Sequence, residues 1–94
     1  MKPVYVYILA CRDGSYYVGH AEDVSARVAA HNASRGAAYT ARWRPVRLVY
    51  CEPHDTEALA VRRERQIKKW SRAKKQALIT DALPQLRDLA HGRL

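Results

Sequence analysis

Ninety-four residues with 17 Lys and Arg against nine Asp and Glu give a net charge of +8. A chain of this length is expected to form one domain, here read as 1–94, with a modest core. Its basic excess points to a polyanionic partner, nucleic acid being the commonest, the plain alternative being a soluble protein with a merely solvated basic surface.

No apolar run approaches the ~20 residues that cross a bilayer, and the basic stretch lacks an apolar face with aromatic anchors, so no membrane role is expected. Met1-Lys2-Pro3 runs directly into a strand pattern, so a cytoplasmic protein without a leader is expected. Cys11 and Cys51 are too few for a disulfide framework and read as reduced thiols. Together with His20, His54 and His91 they form no zinc pattern, and structural or solvated roles are assigned to all five.

Residues 4 to 10 and 15 to 19 are rich in Val, Tyr and Ile, which suit a pleated, half-buried surface. Asp13-Gly14 between them signals a hairpin. A two-residue loop would put Tyr7 and Tyr17 on opposite faces. A three-residue loop, Arg12-Asp13-Gly14 with Gly14 left-handed, puts Tyr5, Tyr7, Leu9, Tyr17 and Gly19 on one face. Val4, Val6, Ile8, Tyr16 and Val18 then share the other face. The second register sorts the β-branched residues more cleanly and is preferred.

Asp23 is a plausible N-cap for a helix to about Ala33, with Val24 and Val28 as its apolar stripe and Arg27 and His31 one turn apart beside it. Residues 34 to 45 have no period. Arginines and aromatics interleave there, and Arg42 and Arg44 suit phosphate contact beside Trp43, unless Tyr39 and Trp43 only pack the loop. A third strand is expected over 46–51, with Val46, Leu48 and Tyr50 on one face. Asp55 is expected to cap a helix from Thr56 to Trp70, and Ser71 another to about Thr80. Leu83-Pro84 opens a last short helix with Leu86 and Leu89 inward.

The basic residues Arg62, Arg63, Arg65, Lys68, Lys69, Arg72, Lys74 and Lys75 cluster within 62–75, where Glu64 is the single acid. Glu64 shares the apolar stripe of Ala60, Val61 and Ile67, so it faces inward. An inward acid needs either a salt bridge to a neighbouring arginine or a role as metal ligand or catalytic carboxylate.

These residues in this order resemble the GIY-YIG nuclease domain. Tyr5-Val6-Tyr7 stands for the first triplet and Tyr17-Val18-Gly19 for the second. Arg27 and His31 follow on a helix, and Glu64 matches the metal-binding glutamate in Arg62-Arg63-Glu64-Arg65-Gln66-Ile67-Lys68-Lys69-Trp70. The Gly36–Thr40 stretch and the Arg44–Tyr50 strand resemble small stand-alone bacterial members. Tyr5 replaces the first glycine, and Leu83-Pro84 stands where many relatives carry Asn-Pro.

The resemblance implies an α/β (α+β) fold of order β-β-α-β-α-α, a three-stranded antiparallel sheet flanked by helices. It implies a metal-dependent endonuclease on DNA rather than RNA, structure-directed or of low specificity, in repair or recombination. It further implies catalysis by Tyr7, Tyr17, Arg27, His31 and Glu64, a single Mg²⁺ or Mn²⁺ on Glu64, and no small-molecule cofactor. Phosphodiester hydrolysis needs an activated water, and Tyr7 is the implied base, with His31 as the other candidate. Arg42, Arg44, Arg62, Arg63, Arg65, Lys68, Lys69 and Arg72 are the expected nucleic-acid contacts. A nucleic-acid-binding module without turnover is the main rival reading.

Overall fold

The structure, a computed structural model, describes residues 2–33 and 38–90, the side chains at 38–39 and 83–90 excepted. Three antiparallel strands, β1 (Val4–Ala10), β2 (Tyr16–Ala21) and β3 (Arg47–His54), lie in the order β2-β1-β3. The helices are α1 (Val24–Asn32), α2 (Ala38–Arg42), α3 (Glu57–Lys68) and α4 (Arg72–Ala90). The expected mixed α/β architecture is present.

The hairpin takes the three-residue register. Tyr7 pairs with Gly19 and Leu9 with Tyr17. Cys11 N–H donates to Ser15 O at 2.8 Å, and Gly14 sits at φ +88°, a left-handed conformation that glycine adopts without a Cβ penalty. The Asp13 carboxylate closes the turn on Ser15 N at 3.0 Å and Ser15 Oγ at 2.6 Å.

Both faces of central β1 are buried, so its alternation sorts residues into two cores. Val4, Val6 and Ile8 join Val18, Val49, Tyr50, Ala60, Ile67 and Ile79, beneath α3 and α4. Tyr7, Leu9 and Cys11 join Val46, with Tyr17, Val24, Val28 and Trp43 packed around them beneath α1 and its neighbours. A strand covered on both faces must be apolar at nearly every position, which is what Val4-Tyr5-Val6-Tyr7-Ile8-Leu9 supplies.

β3 departs from the expected simple alternation. Ile8 pairs with Tyr50 but Leu9 pairs with Leu48, so Val49 is an extra residue in a bulge. Val49 and Tyr50 therefore both enter the first core while Leu48 packs against the second. The strand also runs on to His54, past the expected end at Cys51.

The helix ends needed corrections. Thr56, not Asp55, caps α3, its Oγ1 accepting from Leu59 N at 3.2 Å, and the helix ends at Lys68. Ser71 does cap α4, accepting from Lys74 N at 3.2 Å. α4 then runs unbroken through Pro84, so there is no separate helix from Leu83. A proline forfeits one backbone hydrogen bond, and the bonds on either side carry the helix past it. The inward placement expected of Leu86 and Leu89 lies outside the described side chains. Part of the stretch read as loop is helical, at Ala38–Arg42, and 34–37 lie outside the described residues.

Asn32 stitches the end of α1 to the start of β3. Its Oδ1 accepts from Val46 N at 2.7 Å and its Nδ2 donates to Val46 O at 3.0 Å. This side chain satisfies both backbone groups of Val46 as a paired strand would.

Candidate active site

Tyr7 projects from the central strand onto its pairing partner Gly19. A Cβ at position 19 would stand 2.5 Å from Tyr7 Oη and 2.7 Å from Cζ, so the phenol occupies the space a side chain would fill. From there Tyr7 Oη lies 3.1 Å from His31 Nε2, and His31 Nδ1 lies 2.5 Å from Thr40 Oγ1. All three residues are buried, at 1%, 0% and 0% exposure, so this polar chain runs through an apolar core, and the exposed Arg27 reaches its Tyr7 end. Tyr17 flanks it, its ring edge-on to His31 at 5.1 Å between centroids.

The electrostatics set the protonation of this chain. Burial pushes the Tyr7 phenol above its ordinary value, against the opposing hydrogen bond from Arg27. Burial, then the Arg27 charge, push His31 below its ordinary value. Tyr7 is thus a neutral phenol and His31 a neutral imidazole at pH 7. The consistent assignment has Tyr7 O–H donating to Nε2 and Nδ1–H donating to Thr40 Oγ1. Arg27, exposed on α1 one turn before His31, carries the charge at the rim.

Glu64 arrives from α3 on the opposite layer. Its side chain is 14% exposed and accepts from His20 Nδ1 at 2.7 Å and Lys68 Nζ at 2.9 Å. Burial alone would raise its carboxyl, but the His20 and Lys68 hydrogen bonds outweigh it and hold the group below the usual range. Glu64 is therefore an ionised carboxylate, close enough to Tyr7 for its charge to act on the phenol. His20 Nε2 also lies 3.6 Å from Glu57 Oε1. A cleft of about 310 Å³ at the β2 edge is lined by Val4, His20, Ala21, Glu22, Arg27 and Glu57, so it joins the α1 layer to the α3 layer.

The sequence reading gave His20 a structural or solvated role and did not foresee its contact, which is with the Glu64 carboxylate. The signal was its place next to Gly19, one residue out of phase and so on the α3 side of the sheet. His54 keeps a structural role, on Glu52 at 2.6 Å, and His91 lies outside the described residues.

Of the expected nucleic-acid contacts, several have partners within the chain, Arg42 on the Trp43 ring and Arg44 on Asn32 O among them. Arg63 Nε donates to Glu52 Oε2 at 3.0 Å, Lys68 pairs with Glu64, and Arg72 lies over the Tyr16 ring at 4.6 Å. Arg62, Arg65 and Lys69 line a groove along α3 that ends at Trp70. Arg42 and Arg44 border a separate groove at the end of α1.

Among the described residues, no three His, Cys, Asp or Glu side chains are arranged to hold a metal ion. An ionised carboxylate is the ligand type of a hard divalent ion such as Mg²⁺, which keeps most of its waters; an ion at Glu64 would share Oε1 with His20 and Oε2 with Lys68.

The fold and this constellation define a small single-sheet α/β domain that carries a tyrosine-histidine pair, a rim arginine and a carboxylate. Residues 3–77 match the family model described as the GIY-YIG catalytic domain, and the chain belongs to that family. It is similar to a UPF0213 protein of Staphylococcus saprophyticus, 49% identical over 86% of this chain and 99% of the relative. A UPF0213 protein of Staphylococcus aureus is 51% identical over the same shares. Among solved structures, a UPF0213 protein from Bacillus halodurans aligns with a TM-score of 0.56 and 40% identity, covering 86% of each chain. A protein from E. faecalis aligns at 0.58 and 35% identity, covering 88% of this chain and 90% of that one.

Proposed function

We propose that this chain is an endonuclease that hydrolyses phosphodiester bonds, with DNA as its substrate and one Mg²⁺ or Mn²⁺ held at Glu64. The observation that carries the reading is the buried Tyr7–His31 hydrogen bond beside Arg27. A buried phenol donating to a neutral imidazole, with a guanidinium at hand, has the donor and acceptor order that a proton transfer needs.

In this reading Tyr7 Oη takes a proton from the attacking water as its own proton passes to His31 Nε2. Thr40 holds the imidazole in the tautomer that leaves Nε2 free to accept. The resulting hydroxide forms a bond to phosphorus, and the bond to the 3′ oxygen breaks. Arg27 offers a planar fork to the non-bridging oxygens, whose charge grows in the transition state. A bound divalent ion would supply charge neutralisation at the departing oxygen. Glu64 would hold it, with His20 and Lys68 fixing the carboxylate. The two candidate bases of the sequence reading thus become one pair.

Specificity is proposed to be low or directed by nucleic-acid structure, and the setting cytoplasmic repair or recombination. No helix among the described residues is long and apolar enough to cross a membrane, in keeping with an aqueous substrate.

The test is cleavage of linear, nicked and branched duplex DNA, and of RNA of matching sequence, with Mg²⁺ and with chelator. Wild type should cut DNA only with metal, while Arg27→Ala and Glu64→Gln should lose at least ~10²-fold in rate and still bind. Tight binding without any cutting by wild type would favour the module without turnover, and preferential cutting of RNA would reassign the substrate.

A further inference from the structure

The catalytic constellation leaves two basic grooves unused, one along α3 and one at the end of α1. The second, of about 370 Å³, is lined by Arg12, Asn32, Ala41, Arg42, Arg44 and Pro45. Its three arginines come from three different segments: the hairpin turn, the last residue of α2, and the link into β3. These segments are tied together. Arg12 N–H donates to Trp43 O at 2.9 Å, and the Asn32 side chain holds both backbone groups of Val46. Among the described residues, no carboxylate lines the groove. The nearest acid in the chain to Arg12, Asp13, is occupied by Ser15.

Arg44 Nη1 also donates to Asn32 O at 3.4 Å, and in a chain carrying +8 three guanidinium groups on one fixed frame make a patch of positive potential that attracts anions. Guanidinium forks match phosphate oxygens in geometry. The Arg42 guanidinium lies 5.4 Å from the Trp43 ring centroid.

The groove also adjoins the catalytic chain. Asn32 follows His31 and Ala41 follows Thr40 in sequence, so on two segments the groove begins one residue from the Tyr7–His31–Thr40 chain. Along α1, Asn32 stands five residues beyond Arg27, about 7.5 Å at the usual ~1.5 Å rise. Phosphates of one strand advance ~3.4 Å per nucleotide along a duplex axis.

We propose that Arg12, Arg42 and Arg44 form a phosphate-binding subsite that holds the substrate strand two to three nucleotides from the bond to be cut. The proposal rests on the nucleic-acid reading above and adds Arg12, which composition alone did not single out. Contacts of this kind position the strand and carry no base information, in keeping with low sequence specificity.

The test is binding of a short duplex with metal omitted, followed by fluorescence anisotropy across a salt series. Each phosphate contact removed should lower the slope of log affinity against log salt by about 0.9. Arg12→Ala and Arg42→Ala should therefore each lower the slope by about 1, and the triple Arg12→Ala, Arg42→Ala, Arg44→Ala variant by 2 to 3. The triple Lys variant should keep most of the slope. The singles sit at exposed positions, so they report even where the triple variant melts. Single variants with wild-type slopes and unchanged melting temperatures would overturn the subsite. A wild type without any salt-dependent binding would instead remove the nucleic-acid reading itself.

Discussion

Gly19 shows how one missing side chain builds the site. The Tyr7 hydroxyl stands where its Cβ would be, so Gly19→Ala must swing the ring away from His31 or part the two strands. Overpacking of this kind costs about 1–3 kcal/mol, and a thermal melt should show it together with a loss of cleavage as deep as that of Tyr7→Phe. In the proposed mechanism the Tyr7–His31 pair acts as a unit, so Tyr7→Phe and His31→Ala should each cost ~10²-fold or more in kcat, and the double variant little beyond either. Additive losses in the double variant would separate their roles. His31 is held below its ordinary value by burial and by Arg27. Its neutral, proton-accepting form therefore persists below the usual histidine value of ~6.5. The acid limb of the pH–rate profile should lie under that value and vanish in the His31 variant. His20 grips Glu64 through Nδ1, so His20→Ala should weaken Mn²⁺ binding, read by titration calorimetry, by ~10-fold or more. His20→Asn, which keeps a donor near that position, should restore most of it.

Among the elements, α3 carries the widest responsibility. It must sit on β1 and β2 closely enough to bring Glu64 to His20. Ala60 and Ile67, both fully buried, press one stripe into the first core. Arg63 anchors the other flank to β3 through Glu52, whose carboxylate also accepts from His54 and Tyr50. Burial would raise the Glu52 carboxyl, but those three hydrogen bonds, with the Arg63 charge, hold it below the usual range. A depressed folded value stabilises the fold above the unfolded glutamate value of ~4.3. That contribution fades as pH falls through the lower folded value. Glu52→Gln should therefore lower the melting temperature at pH 7, and its gap from wild type should close on acidification below pH ~4. A constant gap across that range would show that the network is held by shape alone. At the other end, Arg72 over Tyr16 fastens α4 to the hairpin.

At the scale of the whole molecule, two layers of helices on one three-stranded sheet leave the site at the β2 edge, where the layers meet. The layers contribute different chemistry. α1 and α2 supply Arg27, His31 and Thr40, and α3 supplies Glu64. Neither core contains the proposed metal, so chelation should abolish cleavage while leaving the melting temperature within a degree or two, and readdition of Mg²⁺ should restore the rate. A large drop in melting temperature on chelation would mean that the ion is structural.

Local pattern determined a good deal of this. The Arg12-Asp13-Gly14 turn decides the hairpin register, because a period of two leaves no other way to bury Val4, Val6, Ile8 and Val18 together. The Asp23 cap and the spacing of Arg27 and His31 follow from helical periodicity alone. So does the inward face of Glu64. What pattern could not reach depends on contacts between residues far apart in the chain. The bulge at Val49 arises from pairing with β1 and the need to feed two cores. The burial of Tyr7 on a second apolar face requires α1 and Trp43 to close over it. The pairing of His20 with Glu64 spans 44 positions and exists only once α3 lies across β2. Turns and caps are settled by neighbours in the chain, whereas the hydrogen-bond partner of a buried polar group is settled by whichever element packs against it.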